Sequence, residues 1–155
     1  MIAFVLYFDL TINNNTIDER LKQKTLEAIS IVESRNNSKA KHSIVKKGVQ
    51  KGHYALGKFG LMPNTIKDII KKDRLLSLTH SYVLKYNQIQ LKTLIENDIR
   101  FEYEIASKLY DRLQKKYKTL DKISYSWLNG SVKNTSVKNH WYVKRVEKQF
   151  KRSIL

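Results

Sequence analysis

Thr16-Ile-Asp-Glu-Arg-Leu-Lys-Gln-Lys-Thr-Leu-Glu-Ala-Ile-Ser-Ile-Val-Glu33-Ser34 is the stretch whose reading decides the fold class. Thr16 with Glu19 three residues on has the form of a capping box, which marks a helix start after the polar turn Asn13–Asn15. Ile17, Leu21, Ala28, Ile29 and Val32 then recur at helical spacing, and Arg35-Asn-Asn-Ser38 ends the pattern. Glu33 and Ser34 are therefore expected in the last turn of a helix.

Working outward, four of the five glycines (Gly48, Gly52, Gly57, Gly60) lie between residues 35 and 62, where little periodicity remains, so a long shaped loop is expected. Pro63-Asn64-Thr65 can open the next helix, with Ile66, Ile69 and Ile70 on one face. The stretch 75–99 is helical in tendency without clear boundaries. A stripe of Ala106, Leu109, Leu113 and Tyr117 predicts a helix over 99–117, a short helix follows at 123–128, and Val143, Val146, Phe150 and Ile154 predict a last one. The only strand candidate is residues 2–8. The class is mainly α: residues 1–15 are expected to form a short strand, a packed arm or a vestigial export segment, and residues 16–155 a single domain.

Composition limits the partners. A chain of 155 residues, 41% hydrophobic, can enclose one core, and no Pro-rich or Ser/Gly-rich tract divides it. The formal net charge of +16 draws polyanions: nucleic acid, an anionic membrane surface, or a bacterial wall bearing carboxylates. Seven basic residues and no acid lie from Arg35 to Lys58, and from Ser131 onward seven more stand against Glu147 alone; the plain reading of both runs is a solvated surface. With no cysteine, neither disulfides nor thiolate-bound metals contribute. Residues 2–8 are too short to span a bilayer and lack the features of a secretory signal, so no transmembrane segment is expected.

Common catalytic patterns are missing. The sequence holds no P-loop, GxGxxG, HExxH or GxSxG element, and His42, His53, His80 and His140 have no ligand spacing, so neither metal nor cofactor is expected. Glu33 stands out by position. The C-terminal turn of a helix carries partial negative charge, which disfavours a carboxylate there, and burial acts in the same direction. A carboxylic acid that keeps its proton near neutral pH is what glycoside cleavage requires. The basic loop opposes this by favouring the anion, and most glutamates at helix ends are merely exposed.

Glu33-Ser34 at a helix end, then Gly57-Lys-Phe-Gly60-Leu61-Met62-Pro63, then Tyr125-Ser-Trp127-Leu-Asn129-Gly130, resemble in order and spacing the Glu-Ser, Gly-Leu-Met and Ala-Tyr-Asn-x-Gly signatures of lytic transglycosylases and goose-type lysozymes. The resemblance runs from about Thr16 to Phe150. It implies a lysozyme-like helical fold that cleaves the MurNAc-GlcNAc β-1,4 bond of peptidoglycan, with Glu33 as general acid and then base. It places Ser34 beside the scissile sugar, makes Gly60, Leu61 and Met62 a cleft wall that shields the acid, and has Tyr125 hydrogen-bond near it, with Trp127 as a further substrate contact. For Leu61, Met62, Tyr125 and Trp127 plain core packing is the competing reading. Two departures are visible: the family's Gly-Leu-Met-Gln-x-Met-Pro is shortened to Gly-Leu-Met-Pro, removing the cleft glutamine, and Trp127 lengthens the tyrosine segment.

A hydrolase needs a second carboxylate about 5 Å or about 6.5–9.5 Å from the first. Asp68, Asp73, Glu96, Asp98, Glu102 and Glu104 are the candidates, and of Glu102 and Glu104 at most one can face the cleft. Transglycosylases manage with one acid, using the substrate's own groups; a modified glycan lacking the acetyl group would make the second acid more necessary. The resemblance thus implies a monomer acting on peptidoglycan, secreted, periplasmic or carried on a phage virion, with no specific nucleic-acid partner. The rival readings are a basic helical nucleic-acid-binding module, for which Trp141 and Tyr142 in the basic tail are the motive, and an inactive wall-binding relative.

Overall fold

The computed structural model of the chain describes residues 2–48, 50–132 and 137–154, with side-chain surroundings from Asp18 onward. The fold is mainly helical: α1 (Ile2–Ser34), α2 (Pro63–Lys72), α3 (Arg74–Thr79), a 3₁₀ turn (Ser81–Lys85), α4 (Gln88–Asn97), α5 (Ile99–Tyr117), α6 (Leu120–Asn129) and α7 (Trp141–Ile154). Among the described residues the only β pairings are two isolated antiparallel bridges, Ile44 with Tyr54 and Leu56 with Leu61. No helix there is long and apolar enough to cross a membrane.

The expected strand at residues 2–8 is instead the start of α1, and Thr16 lies inside that helix rather than capping it. Asn13–Asn15 are poor helix formers, but each costs only a fraction of a kcal/mol, and without Pro or Gly a helix already begun continues through them. The division between residues 15 and 16 therefore falls within one continuous helix.

The other helices follow local signals. Pro63 opens α2, Asp73 caps α3 by accepting from the Leu76 amide at 3.0 Å, and Asn87 with Gln90 forms a reciprocal capping box at α4. Asp98 accepts from the Phe101 amide at 2.9 Å to begin α5, and Lys118 in the left-handed region ends it.

Two adjoining clusters make the core. The larger gathers Leu26 of α1, Leu56, Phe59 and Leu61 of the loop, Ile66, Ile69 and Ile70 of α2, Leu91 and Ile95 of α4, and Phe101, Ile105, Ala106, Tyr110 and Leu113 of α5. The smaller joins Ala28 and Ile29 of α1 to Tyr142 and Val146 of α7, and Trp127 packs against both. α1 thus buries two faces, one on α7 and one on α5. That is why Lys22, Thr25, Leu26 and Ser30 are buried beside the expected Ala28 and Ile29, while Leu21 is exposed. Lys22 is accommodated by an ion pair with Asp111 at 2.9 Å, and its pKa is raised by that pairing against the opposing effect of burial. The ammonium of Lys24 donates to the Ser153 carbonyl, tying α1 to the last turn of α7.

Ile29 is fully buried at the α1–α7 contact. Ile29→Ala should cost about 2–5 kcal/mol of stability, measured by denaturant unfolding, without abolishing helical content.

Candidate active site around Glu33

α1 ends abruptly one residue after Glu33. Arg35 and Asn36 both take left-handed backbone angles (φ 57° and 61°), and the Asn36 amide turns back to the Ser30 carbonyl at 3.0 Å. Asparagine tolerates that conformation, whereas arginine is strained in it by about 1–2 kcal/mol. The reversal sends the chain into the loop 35–62, which passes back over the helix end.

The loop is more ordered than its irregular sequence suggests. Val45 and His53 pair at 2.7 Å near the Ile44–Tyr54 bridge, and Leu56 and Leu61 exchange both backbone hydrogen bonds at 2.9 Å. The second pair closes a tight turn, Gly57-Lys58-Phe59-Gly60, with both leucines in the core. Both glycines take left-handed backbone angles and lie close to a carboxylate. Gly57 (φ 68°) faces Glu102, whose carboxyl a Cβ would overlap, and at Gly60 (φ 63°) a Cβ would stand 2.5 Å from Glu33 Oε2.

Glu33 is thereby covered by Gly60 on one side and held by α7 on the other, where the Tyr142 hydroxyl donates to Glu33 Oε1 at 2.6 Å. Burial raises the Glu33 pKa, opposed by the Tyr142 hydrogen bond and by His42. Burial likewise holds the Tyr142 phenol well above its ordinary value, and the Glu33 charge adds to this. Tyr142 is therefore a donor at any physiological pH.

The remaining expected residues take different places. Ser34 braces the loop: its hydroxyl lies 2.9 Å from the Lys58 carbonyl and 3.0 Å from the Ser30 carbonyl, and it accepts from the Asn37 amide at 3.0 Å. Leu61 is core, and Met62, half-buried, leads into α2. Trp127 donates its indole N–H to the Phe59 carbonyl at 3.0 Å, so it too holds the glycine turn. Tyr125 packs edge-on against His140 at 5.0 Å, and the hydrogen bond expected of it is made by Tyr142 instead. A signal for Tyr142 was present in the sequence. It lies four residues before Val146 and eight before Phe150, on the buried stripe of α7, and a phenol on a core face needs a polar partner.

A cleft of about 340 Å³ adjoins the turn, lined among others by Lys41, His42, Tyr54, Gly57, Lys92 and Glu96. Its size is in the range of small-ligand sites. Glu33 does not itself line this cavity. The connection is His42, whose Nε2 lies 2.8 Å from the Gly57 carbonyl and whose charge acts on Glu33.

The candidates for a second carboxylate separate clearly. Asp68 is paired with Lys72 and Arg112, and Asp73 with Lys108, and these partners lower both pKa values. Glu102 is wholly buried behind the turn. Glu96 is the carboxylate on the cleft wall, held by Lys92 at 2.7 Å. Comparison of the chain with family models, with curated proteins and with solved structures finds no match in any of the three.

Two measurements probe this arrangement. Tyr142→Phe removes the donor that favours the Glu33 anion, so the Glu33 carboxyl, followed by carbon NMR, should titrate at higher pH than in the wild type. Glu33→Gln bears on stability. A carboxyl whose folded pKa lies above its unfolded value stabilises the fold fully at low pH, and this contribution is lost as pH rises through the folded pKa. The melting temperature of Glu33→Gln should therefore exceed that of the wild type at neutral pH. The gap should close as pH falls below the ordinary glutamate value of 4.5.

Proposed function

We propose that the protein cleaves the glycan strands of peptidoglycan at the MurNAc-GlcNAc β-1,4 bond, with Glu33 as the acid and a lysozyme-like arrangement of helices around it. The observation that carries this reading is the enclosure of the Glu33 carboxyl by Gly60 and Tyr142, with a raised pKa, under a turn whose Gly57 lines the neighbouring cleft. That is the state a proton donor to a sugar oxygen must be in before the bond breaks. The likeness of the three segments to lytic transglycosylases and goose-type lysozymes gives the donor its substrate.

In this scheme Glu33 delivers its proton to the glycosidic oxygen as the C1–O bond lengthens. The resulting carboxylate, steadied by the Tyr142 hydroxyl, then takes a proton from the group that attacks C1. That group is the sugar's own 6-hydroxyl in a transglycosylase and water in a lysozyme. Separate pairing of Asp68 and Asp73 and the burial of Glu102 favour the single-acid route, with Glu96 the remaining carboxylate at the cleft. Lys41 and Lys92 on the cleft wall suit the carboxylates of the wall's peptide stems. The setting proposed is a secreted, periplasmic or virion-carried monomer.

The nucleic-acid reading loses one of its two aromatic residues, because Tyr142 is buried against Glu33 while Trp141, exposed, is stacked by Arg145. Digestion of purified sacculi by wild type and Glu33→Gln decides the matter. Wild type should release fragments and the variant none, with a loss of at least about 100-fold. Anhydro ends identify a transglycosylase and reducing ends a lysozyme. Sacculi bound but left uncut by the wild type, or cut equally by both, would remove Glu33 from the chemistry.

A further inference from the structure

Glu102 is a fully buried carboxylate, and the cleavage scheme does not use it. It sits in the first turn of α5, where the helix dipole favours an anion. Its Oε1 accepts from the backbone amides of Lys58 at 2.5 Å and Phe59 at 3.3 Å, and its Oε2 accepts from the Ser38 hydroxyl at 3.0 Å. The turn 57–60 has its other polar groups fixed as well: the Gly57 carbonyl by His42, the Lys58 carbonyl by Ser34 and the Phe59 carbonyl by Trp127. The same short turn that rests on Glu102 at Gly57 closes over Glu33 at Gly60.

We infer that Glu102 is a positioning residue for Glu33: by gripping the Lys58 and Phe59 amides it holds Gly60 shut over the acid and keeps water from it. The inference rests, for its effect on catalysis, on the reading of Glu33 as the proton donor. Glu102→Asp keeps the carboxyl but shortens the side chain by one methylene, which loosens its grip on the Lys58 and Phe59 amides. Lys58 is the cation facing Glu102, and Tyr142 and His42 are the groups facing Glu33.

The test uses the full chain with Glu102→Asp and, separately, Ser38→Ala, which removes one donor and leaves the carboxylate. Three quantities are read: amide exchange at Lys58 and Phe59, the titration of the Glu33 carboxyl, and kcat and KM on sacculi. In Glu102→Asp the two amides should exchange about 10–100-fold faster. The rehydrated Glu33 should titrate at lower pH than in the wild type. kcat should drop by up to about 100-fold, with KM changed less than about 3-fold. Ser38→Ala should move the first two quantities in the same direction by less, and it answers the question if Glu102→Asp does not fold. A folded variant whose amide exchange and Glu33 titration match the wild type overturns the inference. If the wild type leaves sacculi intact, the glycan-cleaving reading fails, while the Glu33 titration still decides whether Glu102 positions it.

Discussion

Withdrawing a carboxyl group from water is costly unless the surroundings replace the lost hydrogen bonds, and one four-residue turn here takes part in withdrawing two of them. Gly57 lies on Glu102 and Gly60 on Glu33, each in a left-handed conformation that favours glycine. The two acids are treated oppositely. Among the described residues Glu102 receives three donors, whereas Glu33 receives one, the Tyr142 hydroxyl. Burial raises both pKa values, and the one-donor site gives its anion less compensation.

The helices serve this turn. α5 presents Glu102 from its first turn, α6 brings the Trp127 indole to the Phe59 carbonyl, and α7 brings Tyr142 to the end of α1. α1 must stop abruptly for the arrangement to form, and the strained Arg35 belongs to that stop. The abundant positive charge, by contrast, is held mostly at the surface: the outward face of α7 exposes Lys144, Arg145, Lys148, Lys151 and Arg152. A surface field of that sign attracts polyanions.

Helical class and the position of Glu33 at a helix end were legible because they depend on local pattern. Pro63 with Ile66, Ile69 and Ile70 gave α2 for the same reason. What escaped depends on partners distant in sequence. The stripe read in α5 included Leu109 and Tyr117, which are half-buried, and omitted Phe101, Ile105 and Tyr110, because α5 is covered from several sides and no single stripe describes it. Residues 2–8 read as a strand because a short apolar run does not distinguish strand from helix, and the asparagines after it were too weak a break. At the site, Ser34 and Trp127, read as substrate contacts, hold the backbone of the loop through the Lys58 and Phe59 carbonyls. Tyr142 was legible as a core-face phenol in need of a polar partner, but nothing in its own segment reveals that the partner is a glutamate on the far side of the chain.

That distance has a consequence for biogenesis. Glu33 and Tyr142 are separated by 109 positions, and α7 is the last helix described. During synthesis the acid, its glycine cover and Glu102 all leave the ribosome before the phenol does. A nascent chain therefore carries Glu33 without its α7 partner, and the ionisation state set by the finished fold is acquired only when the closing helix docks.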